Sequence, residues 1–166
     1  MKALFRRHEE LVDNPPVFPS VEPSNHLRVL VESTDLAERW AVERTLRQAG
    51  FGVVSCGGPA LLEDGSCPLV TCGDCPGAAA ADAVFFRLNL PDEANEKVLR
   101  ALRREVERRP VVVEVPGPRT SRLAQLLDGC QILPMPASAS EMVEALSRAL
   151  GRDDGMSGPA DCQLLQ

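Results

Sequence analysis

The chain has 166 residues, a length that suits one domain with a single buried core. Apolar residues make up 44% of the chain but aromatic residues only 4%, so the core is expected to be aliphatic. The net charge of -6 disfavours binding to nucleic acid, whose phosphates are normally met by a clustered basic surface.

Both ends of the chain differ in composition from its middle. Residues 1–25 begin with charged side chains and continue through four prolines, which remove backbone donors from helices and sheets. We predict a disordered, proline-rich arm there, and a second disordered segment, rich in glycine and aspartate, over residues 152–166. Residues 26–151 are the predicted folded domain.

Short aliphatic runs alternate with amphipathic segments through this domain. The predicted strands are Leu27–Val31, Phe51–Ser55, Ala83–Leu88, Val111–Val115 and a weaker Gln131–Leu133. Strands that alternate with helices imply right-handed crossovers and a parallel sheet covered on both faces. We therefore predict a three-layer α/β domain with a flavodoxin-like, doubly wound, five-stranded parallel sheet in the order 2-1-3-4-5.

The first predicted helix follows the first strand. Asp35 is a candidate N-cap, and Gly50 supplies a left-handed stop. Leu36, Trp40 and Leu46 recur between them near helical spacing. We expect Trp40 to belong to the face of this helix that meets the core.

The segment Asp82–Asp92, with the sequence DAVFFRLNLPD, resembles part of the response-regulator receiver domain. In that family the strand ends in the aspartate that accepts a phosphoryl group, and here that position is Arg87. The resemblance therefore implies a degenerate receiver. Three alternatives stay open for Arg87: exposure to solvent, an ion pair with Glu32 or Asp35, or binding of an anion.

Other receiver positions are also replaced. The stretch Val29–Asp35 resembles the first receiver strand and the acidic pair that holds magnesium in that family, and the pair is matched by Ser33 and Thr34. The switching serine or threonine of the family matches Val115, and its conserved-turn lysine matches Met135. The resemblance thus implies a pseudo-receiver that lacks the phosphorylation machinery.

A cysteine-rich insertion, residues 56–80, stands where a receiver has its second helix. Its prolines and glycines predict a structured loop rather than a helix. Cys56, Cys67, Cys72 and Cys75 are spaced C-x10-C-x4-C-x2-C, a pattern that fits thiolate ligands of zinc or of an iron-sulfur cluster. Thiol-disulfide chemistry and simple burial as small apolar residues remain alternatives.

Three functions follow from these observations. The first is a receiver-like regulatory module that binds a protein partner near its fifth strand and its fourth predicted helix, whose apolar face is Leu123, Leu126 and Leu127. The second is a redox or metal sensor that uses the cysteine loop. The third is a thiol-disulfide oxidoreductase based on Cys72 and Cys75, but the chain shows no other catalytic motif, so an enzyme is disfavoured.

Two further features of the sequence bear on where the protein is located. Apolar stretches are strand-sized and the N-terminus has no signal-like apolar segment, so we expect a cytoplasmic protein without membrane contact. Cytosolic thiols are kept reduced, which disfavours structural disulfides. Cys130, at the start of the fifth predicted strand, is expected to be buried.

Overall fold

The computed structural model describes residues 26–63, 65–104, 108–116 and 121–152. Its centre is one parallel sheet of five strands in the order 2-1-3-4-5. The strands are β1 Arg28–Glu32, β2 Gly52–Cys56, β3 Ala83–Phe86, β4 Val111–Pro116 and β5 Gln131–Met135. The predicted flavodoxin-like fold is confirmed. The predicted arm 1–25 and the predicted tail from residue 153 onward lie outside the described residues.

Helices cover both faces of this sheet. They are α1 Leu36–Gln48, α2 Pro68–Thr71, α3 Pro76–Ala79, α4 Glu93–Arg103, α5 Ser121–Leu126 and α6 Ala139–Ala149. Apolar side chains of α1 and α6 pack with one half of the core, and those of α2 to α5 pack with the other half. We call these the α1/α6 face and the α2–α5 face. Together with the sheet they make the three layers that the sequence predicts.

The strands are continuous aliphatic runs because both faces of the sheet are covered. Alternation along β1 sends Val29 and Val31 to the α1/α6 face and Leu30 to the α2–α5 face. In β3, Phe85 and Phe86 are fully buried on opposite faces. Burial of each such side chain contributes about 1.5–3 kcal/mol, so β3 holds the two halves of the core together.

Helix α1 turns a different face to the core from the one predicted. Val42 and Leu46 are buried, whereas Leu36 is 69% exposed and Trp40 is 63% exposed. Trp40 precedes Val42 by two residues, which places it about 200° round the helix at 3.6 residues per turn. The prediction that Trp40 belongs to the core is wrong because Val42, with Leu46 four residues on, sets the inward face.

The cysteine-rich insertion contains more regular structure than the predicted loop. A 3₁₀ turn covers Pro59–Leu61, and the single-turn helices α2 and α3 follow. Both helices begin at a proline, Pro68 and Pro76, because the first position of a helix needs no backbone donor. The prolines that argued against a helix therefore start two short ones.

Helix α4 begins at a side-chain cap that can be tested. The Asp92 carboxylate accepts hydrogen bonds from the backbone N–H groups of Ala94 (2.8 Å) and Asn95 (3.2 Å). We expect Asp92→Ala to lower the free energy of unfolding in urea by about 1 kcal/mol. Asp92→Asn keeps the acceptor and is expected to stay close to the native chain, so equal losses in both variants would contradict the capping role.

Candidate functional site

The residue that matches the phosphoacceptor, Arg87, lies at the carboxyl end of β3. Its backbone N–H donates to the Glu32 carbonyl (2.8 Å), so the parallel ladder with β1 continues to this point. Strand alternation places its side chain with Phe85, towards the α1/α6 face. Arg87 Nε lies 3.0 Å from Glu114 Oε2 and 3.4 Å from Glu38 Oε2.

Glu114 is the buried partner in this arrangement. It interrupts the valines of β4 and is only 3% exposed, and its Oε1 accepts a hydrogen bond from the backbone N–H of Ala137 (3.0 Å). The facing atoms, Arg87 Nε and Glu114 Oε2, make no well-aligned hydrogen bond with any group in the described part of the chain. Their contact is therefore an ion pair held by charge, and its directional hydrogen-bonding capacity is unused.

The ion-pair alternative for Arg87 was right in kind but wrong in its partners. Glu32 falls on the α2–α5 face with Leu30, one step out of phase with Arg87. Asp35 is occupied as the N-cap of α1, where it accepts from the Glu38 N–H (2.8 Å). Exposure of Arg87 to solvent is also contradicted, since its side chain is only 17% exposed.

The remaining receiver-like positions carry groups of different chemistry. Ser33 is 1% exposed and its carbonyl accepts from Arg39 Nη1 (2.6 Å), while Thr34 is exposed. Val115 is buried and Met135 is half-buried. At these matched positions there is accordingly neither a carboxylate to hold magnesium nor an ammonium group to steady a transferring phosphoryl group.

An apolar cleft opens beside the Arg87–Glu114 pair, between α4, α5 and the carboxyl ends of β3 to β5. Its volume is about 500 Å³. It is lined by Arg87, Leu88, Asn89, Leu90, Pro91, Glu96, Glu114, Val115, Pro116, Leu123, Leu126 and Met135. We call it the α4–α5 cleft. Sequence reasoning missed it, although one acid, Glu114, inside a run of valines was a usable signal.

Glu32 makes a second polar feature, on the α2–α5 face. It is 3% exposed, and burial raises the pKa of its carboxyl group from 4.5 to about 7. Its Oε2 atom has no hydrogen-bond partner among the described residues. Glu32 is therefore a carboxyl group that is about half protonated at neutral pH and mostly protonated below it.

Three of the four clustered cysteines lie on this same face. Cys67 is buried, and Cys56 and Cys75 are half-buried against the same half of the core. Burial raises the pKa of the Cys56 thiol to about 11, with further increases from Glu32, Cys67 and Cys75. These groups are therefore close enough to act on one another electrostatically.

The fourth cysteine of the predicted set, Cys72, is exposed. Among the described residues, no group of three or more histidine, cysteine, aspartate or glutamate side chains is arranged to hold a metal ion. Zinc or an iron-sulfur cluster on these cysteines thus stays a prediction. Cys130, expected to be buried, is half-buried at the edge of the α2–α5 half of the core.

Thiol reactivity should separate these cysteines. Burial raises the pKa values of Cys56 and Cys67, which lowers their thiolate fractions, whereas Cys72 is open to solvent. We expect iodoacetamide to alkylate Cys72 at least about ten-fold faster than either, as measured by peptide mapping of the folded chain. Equal rates in the folded chain would contradict this burial pattern, and equal rates in denaturant serve as the control.

Comparisons place this geometry among known folds. No protein-family model matches the sequence, and no curated protein matches it. Solved structures do match, as three examples show. Chemotaxis protein CheY4 of Vibrio cholerae is 17% identical with a TM-score of 0.56, over 75% of this chain and 99% of that one.

A response-regulator receiver domain from Clostridium thermocellum gives 16% identity and a TM-score of 0.58, over 76% of this chain and 95% of that one. A proposed pilus assembly protein from Burkholderia thailandensis gives 20% identity and a TM-score of 0.56, over 75% of this chain and 98% of that one. The chain therefore has the fold of receiver domains, a fold also found in that pilus-related protein. No described helix has the length and apolarity needed to cross a bilayer.

Proposed function

We propose that this chain is a phosphorylation-independent, receiver-like regulatory module that acts by binding a protein partner. The observation that carries the proposal is the Arg87–Glu114 ion pair at the position of the phosphoacceptor. Transfer of a phosphoryl group to a carboxylate needs a nucleophilic oxygen, a divalent cation on hard oxygen ligands, and a positive group that stabilises the moving charge. Arg87 supplies no oxygen.

The same ion pair supports a fixed state rather than a switched one. Arg87 joins the ends of β3 and β4 through Glu114 and reaches α1 through Glu38. Glu114 also binds the backbone N–H of Ala137, which joins β4 to the segment before α6. A permanent positive charge thus holds together the elements that surround the site, without a cation or phosphoryl group.

The absence of phosphorylation can be tested directly. The full chain would be incubated with acetyl phosphate and magnesium and its intact mass recorded, with a receiver domain that carries an acceptor aspartate as positive control. We expect no phosphoryl adduct on this chain under conditions that modify the control. An acid-labile adduct on a carboxylate of this chain would contradict the proposal.

The partner surface is proposed on α5 and β5. Ala124 is exposed on α5, and Ala41 is exposed on α1 at the other face of the sheet. The tagged chain is used to pull down its partner from a lysate of the cells that naturally make it. We expect Ala124→Arg to abolish recovery of the partner and Ala41→Arg to leave it unchanged. Capture should also be unchanged by acetyl phosphate. Loss of capture only in Ala41→Arg would contradict this surface.

A redox or metal sensor is the second candidate function. The observation that favours it is the shared location of Cys56, Cys67 and Cys75 beside Glu32. It predicts stoichiometric zinc, iron with sulfide, or a reversible disulfide in anaerobically purified protein, lost in the Cys67→Ser, Cys75→Ser double variant. Cys130→Ser is the matched control. Protein without metal or disulfide before and after mild oxidation would eliminate this candidate.

A further inference from the structure

The edge of the sheet at β2 has backbone groups that no neighbouring strand uses. The Gly52 N–H donates to the Leu27 carbonyl (3.0 Å), and the Cys56 carbonyl accepts from the residue that follows β1 (3.1 Å), so both residues face β1. Because backbone groups alternate in direction along a strand, those of Val53 and Ser55 face away from the sheet. Their N–H and C=O groups make no hydrogen bond within the described residues. This edge can therefore accept another strand.

The two edge strands of the sheet differ in how they are protected. Edge strands of natural proteins are commonly blunted by proline, by charged side chains or by a bulge. The other edge strand, β5, contains Pro134, which has no N–H to offer to a further strand. In β2 the sequence is Gly-Val-Val-Ser-Cys, with neither proline nor charge, and both of its valines are half-buried. The edge at β2 is therefore the less protected of the two.

Apolar side chains are exposed beside this edge. Leu36, Trp40 and Glu43 are spaced i, i+4 and i+7, which puts them on one stripe of α1. Glu43 accepts a hydrogen bond from the Ser55 hydroxyl, and this contact places the stripe along β2. Leu61 lies in the 3₁₀ turn that follows β2. In the described part of the chain, Leu36, Trp40 and Leu61 are the most exposed of the large apolar side chains, and such groups mark an interaction surface when they gather in one place.

The strand β2 is complementary to a second copy of itself. When two copies pair antiparallel with Val54 on the two-fold axis, Val53 of one copy lies opposite Ser55 of the other, and each such pair exchanges both of its backbone hydrogen bonds. All the outward N–H and C=O groups of both strands then have partners. The same axis runs the two α1 stripes in opposite directions, so Glu43 of one copy approaches Arg47 of the other, an opposite charge.

The helices leave room for this arrangement. Helix α1 packs on both β1 and β2, so its axis lies over the space between these strands. Neighbouring strands are about 4.8 Å apart, and the two α1 helices are therefore separated by two strand spacings, or about 10 Å. Packed helices in proteins are about 8–10 Å apart. The exposed apolar stripe of α1 is thus placed where a second copy covers it.

We propose that two copies of this chain associate through antiparallel pairing of their β2 strands, which joins the two five-stranded sheets into one. Leu36 and Trp40 are then covered at the seam between the two α1 helices. This surface goes beyond the proposed function, because it lies at the opposite edge of the sheet from the partner surface on α5 and β5. The dimer therefore leaves that partner surface open.

Concentration-dependent mass and amide exchange test the pairing on the full native chain. Sedimentation equilibrium should show the 17.9 kDa monomer passing to a dimer, with a dissociation constant on the order of 10–100 µM. The amide protons of Val53 and Ser55 should exchange with solvent at least about ten-fold more slowly when the dimer is populated than after dilution. The Gly52 amide, which is already bonded within the chain, is the internal control and should change less.

Two substitutions at one residue isolate the backbone donor. Ser55→Pro removes the outward N–H at a position where an edge strand accepts proline, whereas Ser55→Ala keeps this N–H and loses only the hydroxyl bond to Glu43. We expect Ser55→Pro to raise the dissociation constant of the dimer at least about thirty-fold, since one donor is lost from each copy, and Ser55→Ala to change it less than about three-fold.

Three results would overturn the proposal. The first is a native chain that stays monomeric at concentrations up to about ten times the expected dissociation constant. The second is an exchange rate for the Val53 and Ser55 amides that is the same at every concentration, as expected if a segment of the same chain, or nothing, covers this edge. The third is a Ser55→Pro chain that keeps the native circular dichroism spectrum and dimerises like the native chain. The exchange rates of the native chain decide the matter if Ser55→Pro does not fold.

Discussion

Replacing Arg87 with alanine is expected to lower the free energy of unfolding by about 3 kcal/mol in urea titrations at neutral pH. The reason is Glu114, whose side chain is 1% exposed and would lose its only close positive partner among the described residues. Removing one member of a buried pair leaves a charge in a poorly solvated place. The expected loss lies at the lower end of the usual range for breaking a buried ion pair because the Arg87 side chain is itself 17% exposed.

Two comparisons separate this effect from simple loss of an arginine. Arg148→Ala breaks a pair with Glu144 in which both side chains are more than 60% exposed, and it should cost less than about 1 kcal/mol. The double variant Arg87→Met, Glu114→Gln removes both charges but keeps an acceptor for the Ala137 N–H, so it should recover most of the loss. A double variant no more stable than Arg87→Ala would argue against an unpaired buried charge.

Glu32→Gln is expected to raise the free energy of unfolding at about pH 8 by about 2–3 kcal/mol and to change it little near pH 4.5. Burial raises the pKa of Glu32 from 4.5 to about 7, a difference that corresponds to about 3 kcal/mol. Glutamine cannot ionise, so it avoids this cost, although its amide also lacks a ready partner.

The direction in which stability changes with pH follows from proton binding to Glu32. Between pH 4.5 and about pH 7 the folded chain keeps a proton on Glu32 that the unfolded chain has released, so stability falls as pH rises through this window. The native chain should show this fall and Glu32→Gln should not. Glu63→Gln, which removes a carboxylate at an exposed position, is the control. An identical pH dependence in native and Glu32→Gln protein would contradict burial of Glu32.

The sheet could be predicted because its signal is local. Each strand is a short aliphatic run, and the alternation of such runs with helical segments restricts the topology to very few arrangements. The inward face of a helix is a weaker signal. The sequence pattern places the large apolar residue Trp40 on the core face of α1, whereas the structure buries Val42 there and exposes Trp40. The sequence did not predict the helices that begin at Pro68 and Pro76. A proline interrupts a helix when it lies in the interior but is favoured at the first position, so the residue type alone does not distinguish the two cases.

The candidate site was predicted less completely, since it depends on which face each side chain takes. Resemblance identified the position of Arg87 but not its partner, because Glu114 lies 27 residues further on in a different strand. Glu32, 55 residues before Arg87, points to the opposite face. The cysteine spacing likewise suggested four ligands together, whereas Cys72 is exposed and the other three are buried or half-buried.

The exposure of Trp40 has a practical consequence for spectroscopy. It is the only tryptophan in the chain, and its ring is already 63% open to water in the folded state. Intrinsic fluorescence should therefore change little when the core unfolds, and circular dichroism is the better probe for the stability measurements. The same fluorophore, beside the exposed Leu36 on α1, becomes a built-in reporter for anything that covers that helix.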